Sequence, residues 1–186
     1  KGPLTKDLEK KFAKKMQSKY SIFCNSGSSA NLLMLQAILE LGTSVGLASV
    51  SLALPETAKM TSLEGCPQTA VVAQKHLKSA ELSNVEVIVG DFKQTLPQVI
   101  SEKFDLIYFD GNHSKEATLN YFEQLLPTAH NDSVWIFDDI YWSPEMTEAW
   151  ELIKQHPRVS VTVDCFWLGF VFFRTEQVEE HFKIRV

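Results

Sequence analysis

Six carboxylates and one imidazole stand where turns follow apolar runs in this sequence: Glu40, Glu64, Asp91, Asp110, His113, Asp138 and Asp139. Glu40 opens the stretch Glu40-Leu41-Gly42-Thr43-Ser44-Val45-Gly46, in which glycines at a strand-to-helix turn set backbone N–H groups at the end of a strand. That is the make-up of a nucleotide-type site. A tight turn with no ligand is the plainer reading of the same residues. Glu64 ends the next apolar run, 18 residues after Gly46, where a carboxylate can accept both hydroxyls of a ribose. His113, a loop imidazole with an ordinary pKa near about 6.5, is a competent base at neutral pH. Asp110, Asp138 and Asp139 can surround one hard cation such as Mg2+; alternatively, one of the last two caps its turn and the other is solvated.

These side chains need a frame. From about residue 37 onward, β-rich apolar runs alternate with amphipathic helical stretches, the pattern of a Rossmann-like α/β fold in three layers, α/β/α. Strands are predicted at Ala37–Leu41, Lys59–Leu63, Val85–Val89, Asp105–Phe109, Val134–Phe137, Val159–Cys165 and Leu168–Phe173, and helices beginning near Gly46, Pro67, Phe92, Ser114 and Ser143. Ser143-Pro144-Glu145-Met146 is a helix start, with Ser as N-cap and Pro at the first helical position. Only a few residues around Trp167 join the last two strands, too few for a crossover, so these strands form an antiparallel hairpin. The predicted sheet is therefore seven-stranded and mostly parallel, with an antiparallel last strand.

A dinucleotide site would use the same ribose acid. It also needs G-x-G-x-x-G, whose middle glycine lets the backbone approach a pyrophosphate, and here Ser44 holds that place. S-adenosylmethionine has no pyrophosphate and suits the looser E-x-G-x-x-x-G turn, and its sulfonium charge fits a rim supplied with Glu40, Glu64, Asp91, Asp110 and Asp138. Five segments occur in order: Ile38-Leu39-Glu40-Leu41-Gly42-Thr43-Ser44-Val45-Gly46, Leu63-Glu64-Gly65-Cys66-Pro67, Val89-Gly90-Asp91-Phe92, Tyr108-Phe109-Asp110-Gly111-Asn112-His113 and Ile136-Phe137-Asp138-Asp139. Together they resemble the motifs of class I S-adenosylmethionine-dependent methyltransferases of the small O-methyltransferase-like kind, a family that also places a reversed seventh strand at the sheet edge.

The resemblance implies O-methylation of a small hydroxylated acceptor, with cofactor contacts at Glu40, Gly42, Thr43, Ser44, Gly46, Glu64, Asp91, Phe92 and Asp110. The first turn would hold the methionine part, Glu64 the ribose, and Asp91 with Phe92 the adenine. The catalytic roles fall to His113 and Asp110. In catechol-type relatives an Asp, Asp, Asn set binds the metal and a Lys acts as base; this chain has Asp139 in place of the Asn and His113 in place of the Lys. Tyr141, Trp142 and Trp167 are either core aromatics or walls for an aromatic acceptor.

The amino-terminal segment reads differently. It predicts a helix over Thr5–Lys19, a short strand at Tyr20–Cys24, and a turn at Asn25-Ser26-Gly27-Ser28-Ser29 opening a second helix to about Gln36. Gly2-Pro3-Leu4-Thr5-Lys6-Asp7-Leu8-Glu9-Lys10-Lys11-Phe12 and Phe23-Cys24-Asn25-Ser26-Gly27-Ser28-Ser29-Ala30-Asn31-Leu32-Leu33 resemble the start of a pyridoxal-phosphate sugar aminotransferase. In that family the Gly-Ser-Ser turn holds the cofactor phosphate at a helix N-terminus; the family's Schiff-base lysine motif has no counterpart here. Two pieces are expected: residues 1–36, an aminotransferase-like cap or edge addition, and residues 37–186, a methyltransferase-like domain. The alternatives are a catalytically silent methyltransferase-fold chimera or cofactor-binding domain, and a pyridoxal-phosphate aminotransferase fragment.

Composition narrows the partners. The formal charge is −5, divided between +5 on residues 1–19 and −10 on the remainder. An acidic body argues against a nucleic-acid partner, and the stripe Leu4, Leu8, Phe12, Met16, Tyr20 makes the basic segment an ordinary amphipathic helix. With no apolar run of membrane length and no hydrophobic signal core, a cytoplasmic protein is expected. Cys24, Cys66 and Cys165 are read as reduced thiols. The expected partners are a small-molecule acceptor and a second copy of the chain, with neither nucleic acid nor membrane.

Overall fold

Apolar side chains fill every position but Glu40 in Ala37–Leu41 (β1) and every position of Leu106–Phe109 (β4), so both faces of these strands must be covered, as in a parallel sheet wrapped by helices. The computed structural model describes residues 35–53 and 58–184, together with Lys10, Lys11 and Lys14. The chain divides into two compact units, Lys1–Met34 and Leu35–Val186. In the first, Lys10, Lys11 and Lys14 are helical and exposed. The predicted strand at Tyr20–Cys24, the Asn25–Ser29 turn, Cys24 and the rest of the two helices up to Met34 lie outside the described residues.

In the second unit β1 leads to α1 (Leu47–Leu52), β2 (Lys59–Glu64), α2 (Pro67–Ser79), β3 (Val85–Val89) and α3 (Phe92–Val99). After β4 come α4 (Lys115–Leu125) with a short 3-10 turn, β5 (Val134–Asp138), α5 (Pro144–Lys154), β6 (Val161–Asp164), β7 (Leu168–Phe172) and β8 (Glu180–Lys183). The sheet order is β3-β2-β1-β4-β5-β7-β6-β8. Within it β7 runs against both neighbours and is the one reversed strand of the sheet. The predicted helix starts hold: Ser143 caps the Met146 N–H at 3.1 Å with Pro144 at the first turn, Ser114 caps α4, and the Asp91 carboxylate accepts the Lys93 N–H at 2.8 Å.

Strand ends shift by one or two residues from the sequence reading, most at β6, which spans Val161–Asp164 within the predicted Val159–Cys165, and two differences matter for the site's frame. The sheet has eight strands, because Glu180–Lys183 adds an edge strand parallel to β6. Asp105 lies before β4 and turns its carboxylate to the first N–H groups of the β1 segment, Gln36 and Ala37. On one face of the sheet Leu39, Leu41, Ile107, Trp135 and Phe137 pack with Leu96, Phe122 and Trp150 of α3, α4 and α5. Ile38, Met60 and Leu106 form a smaller core on the other face with Ala53 and Ala58. Each large side chain buried there contributes roughly 1.5–3 kcal/mol. This packing holds the carboxyl ends of β1, β2, β4 and β5 in one row. Between β1 and β4 the strand order reverses direction, and in open α/β sheets a ligand crevice forms at such a point.

Candidate active site

The turn after β1 is built on glycine. Gly42 has φ +100°, and a Cβ there would stand 2.7 Å from the Asp110 carbonyl carbon and closer still to its oxygen. The turn's N–H groups are largely spent within the fold: Gly42 and Thr43 donate to the Leu63 carbonyl, Gly46 to that of Thr43, and Ser44 to the Glu64 carboxylate at 2.7 Å. These four N–H groups are therefore not free to cradle a phosphate, which the G-x-G-x-x-G geometry requires.

Glu64 ends β2 and is nearly buried. Its Oε2 accepts the Ser44 N–H and its Oε1 the Cys66 N–H at 2.8 Å, so the carboxylate is fixed in orientation while each oxygen keeps a lone pair. Asp91 caps α3. The Phe92 ring is buried 5.4 Å from Tyr121 and directly beneath Gly111, so this residue shapes the floor of the site from within the core.

Glu40, expected at the rim, is completely buried. Its Oε2 accepts hydrogen bonds from the hydroxyls of Ser49 and of Ser62, the latter at 2.5 Å, and Thr43 Oγ1 joins Ser62. Oε1 has no partner. Burial pushes the Glu40 carboxyl up to about 7, against the two serine hydrogen bonds, with the Asp110 and Glu64 charges adding to the rise. Between the unfolded value of 4.5 and about 7 the native chain holds a proton that the unfolded chain releases, so stability falls as pH rises through that window. Glu40→Gln removes this dependence. The stability lost between pH ~4.5 and pH ~8, read by urea unfolding, is expected to shrink by about 3 kcal/mol.

At the ends of β4 and β5, His113 Nε2 lies 3.5 Å from Asp110 Oδ1 and 4.0 Å from Asp139 Oδ2. The contact with Asp110, opposed by partial burial and helped by the charges of Asp110, Asp139 and Asp138, holds the imidazole above its usual value. Burial raises the Asp138 carboxyl, with the Asp110 charge adding to it. Asp138 Oδ2 accepts the Tyr108 hydroxyl at 3.1 Å and Oδ1 accepts the Asp139 N–H at 3.0 Å. The expected three-carboxylate cation site is thus not assembled. Asp138 is turned to Tyr108 and its own loop, and His113 lies against Asp110 and Asp139. Among the described residues no group of three His, Cys, Asp or Glu side chains is placed to hold a metal ion. Oxygen donors of the right chemistry are present, but their arrangement does not fit Mg2+.

Trp142 and Trp167 are mostly exposed, Tyr141 is partly buried, and all three stand on loops at this same end of the sheet. Sequence reasoning missed Ser49, Ser62 and Tyr108, which hold the acids, and Asp164, which ends β6. A separate cavity of about 470 Å³, lined by His130, Arg158, Phe173 and Arg174 among others, opens at the opposite end of β5 and contains none of the expected site residues.

The chain belongs to the methyltransferase-domain family, whose model matches residues 39–140. Residues 1–74 match the DegT/DnrJ/EryC1/StrS aminotransferase family, overlapping the first match. A catechol O-methyltransferase of Niastella koreensis is 32% identical over 117 residues, covering 60% of this chain and 52% of that protein. A catechol O-methyltransferase of Mycobacterium tuberculosis is 30% identical over 114 residues, covering 60% and 51%. The chain thus spans about half the length of the curated relatives it matches. Among solved structures, the O-methyltransferase from Bacillus cereus in complex with SAH superposes with TM-score 0.63 at 22% identity, covering 92% of this chain and 91% of that one. Cofactor-bound Rv0187 from MTB does so with TM-score 0.67 at 22% identity, covering 84% of each. These likenesses establish the fold. Among the described residues no helix is long and apolar enough to cross a membrane.

Proposed function

We propose that this chain binds S-adenosylmethionine over the carboxyl ends of β1, β2 and β4 and methylates a hydroxyl of a small acceptor. One observation carries the reading. Glu64 is held rigid by two backbone N–H groups beside a glycine turn whose own donors are internally consumed. Such a site takes a ribose without a pyrophosphate. The unpartnered, buried Glu40 Oε1 is a further acceptor beneath the same turn. When bound, the cofactor supplies a methyl group already activated by its sulfonium.

The chain's own tasks are then few. Glu64 accepts the ribose hydroxyls, Gly42 and Gly46 let the turn close against the Asp110 loop and α2, and His113 takes the acceptor's proton on a ring nitrogen. Asp110 and Asp139 orient His113 and balance its charge once it is protonated. No step runs through a metal. His113→Gln is expected to lower kcat by about 100-fold or more while leaving the Kd for S-adenosylhomocysteine unchanged. Wild-type kcat/KM should rise with pH through a midpoint above the ordinary imidazole value of 6.5. A His113→Gln variant with full kcat on a methylated acceptor would remove the base assignment.

Residues 1–36 are proposed to be a separate, aminotransferase-like piece joined to the methyltransferase domain, a reading supported by the aminotransferase-family match and by the division near Met34. Calorimetry with S-adenosylhomocysteine on the wild-type chain and on Glu64→Ala tests the cofactor assignment.

A further inference from the structure

At the end of the sheet away from the candidate active site three connections meet: residues 126–133 before β5, 155–160 before β6 and 173–179 between β7 and β8. They line the cavity of about 470 Å³, a volume within the roughly 300–1,000 Å³ of small-molecule sites. The length of β5, about 15 Å of strand, separates it from Asp138. A small molecule bound there does not reach the catalytic cleft, so any ligand of this cavity is a second one.

The chain has three arginines, and two of them, Arg158 and Arg174, line this cavity of an acidic domain. Their situations differ. Arg174 is neutralised, with Nη2 2.7 Å from Asp132 and Nη1 3.9 Å from Glu176. His130 Nε2 lies 3.2 Å from Asp105, and Glu179, the acid of the lining, is 3.5 Å from His181. Arg158 is held without being neutralised. Its Nη1 donates to the Leu126 carbonyl at 2.6 Å and its Nη2 to that of Ala129 at 3.5 Å, while its guanidinium stands 6.0 Å from the centre of the Phe173 ring. Among the described residues no carboxylate is paired with it.

A guanidinium fixed in this way is a planar fork of N–H donors whose orientation is already set, and a carboxylate takes such a fork with two parallel hydrogen bonds. Two N–H groups are spent on carbonyls, which leaves the others for an anion. Apolar side chains line the cavity beside it: Pro157, and Phe173 and Val159, each 4% exposed. Phe173 is anchored in the core, packed edge-on against the buried Trp135 at 4.8 Å. An unmatched positive charge and an apolar wall thus share one space. We propose that this cavity binds a small organic acid, with its carboxylate on Arg158 and its apolar body against Phe173 and Val159. The site is separate from the methyl-transfer cleft and stands whether or not the reading of that cleft does.

The test uses the full chain and three probes: benzoate, benzyl alcohol and inorganic phosphate. With so few arginines, the Arg158 Nε–H signal in a nitrogen–proton correlation spectrum is identified by its loss in Arg158→Lys. Benzoate is expected to shift that signal saturably, with a Kd of about 1 mM or lower, equally with and without saturating S-adenosylhomocysteine. Benzyl alcohol, which lacks the charge, and phosphate, which lacks the apolar body, should each bind about tenfold more weakly or worse. Arg158→Gln should raise the calorimetric Kd for benzoate about tenfold or more. Arg158→Lys, which keeps the charge without the fork, should raise it less, and serves if Arg158→Gln does not fold. A wild-type signal unmoved by about 10 mM benzoate overturns the proposal, as does displacement of benzoate by S-adenosylhomocysteine or wild-type affinity for benzoate in the folded variants. Phosphate binding as tightly as benzoate overturns the assignment to an organic acid.

Discussion

Glu64→Ala is expected to weaken S-adenosylhomocysteine binding by at least about 100-fold, the largest loss from any single polar side chain in the cleft. Both carboxylate oxygens are oriented by N–H groups from two different loops, Ser44 and Cys66, so Glu64 offers a ribose two acceptors in fixed positions. Removal takes away two charge-assisted hydrogen bonds, each about 1.5–3 kcal/mol, and also frees the Ser44 N–H that holds the glycine turn in shape. Glu64→Gln keeps the volume but carries one acceptor oxygen, so an intermediate loss is expected. Calorimetric titration of the three proteins checks the order, and equal Kd values for wild type and Glu64→Ala would remove Glu64 from the site.

Gly42→Ala should be the most damaging substitution to the fold of the site. Two independent obstacles meet at this position: φ of +100° is strained for any residue with a Cβ, and the new methyl would collide with the Asp110 carbonyl of the neighbouring loop. Backbone cannot swing aside as a flexible side chain would. The expected cost is about 3 kcal/mol or more, which for a domain of this size lowers the melting temperature by about 10 °C. Because Asp110 would be displaced, the contact with His113 goes with it. Gly46→Ala is the internal comparison: φ is +84°, but the nearest atom would be the Ala73 Cα at 3.2 Å, so a smaller drop is expected. Melting curves of the two variants that coincide with wild type would show that the turn is not closed against the β4 loop.

The frame of this domain was readable because each strand and helix announces itself locally. Runs such as Ile38-Leu39-Glu40-Leu41 and caps such as Ser143-Pro144 require no knowledge of their neighbours. Glu180–Lys183 carries no such signal. All four residues are exposed, and the strand is held by backbone pairing to β6 rather than by a buried face. The same contrast runs through the site. That acids end the strands follows from the α/β alternation, which places strand ends in a row. Where each carboxylate turns depends on contacts that spacing does not record. Glu40 is drawn inward by Ser49 and Ser62, and Asp138 is drawn to Tyr108 on the neighbouring strand, which dissolves the cation site that three adjacent acids had implied. Asp164 has no motif around it, and the contacts that meet at its carboxylate come from three stretches of the chain, at Tyr141, Phe166 and Lys183.

Injecting S-adenosylhomocysteine into the wild-type chain in a calorimeter, with no divalent cation present, addresses the cofactor proposal most directly. A saturable heat at one site per chain is expected, retained in the presence of a chelator and largely lost in Glu64→Ala. A flat titration would contradict it.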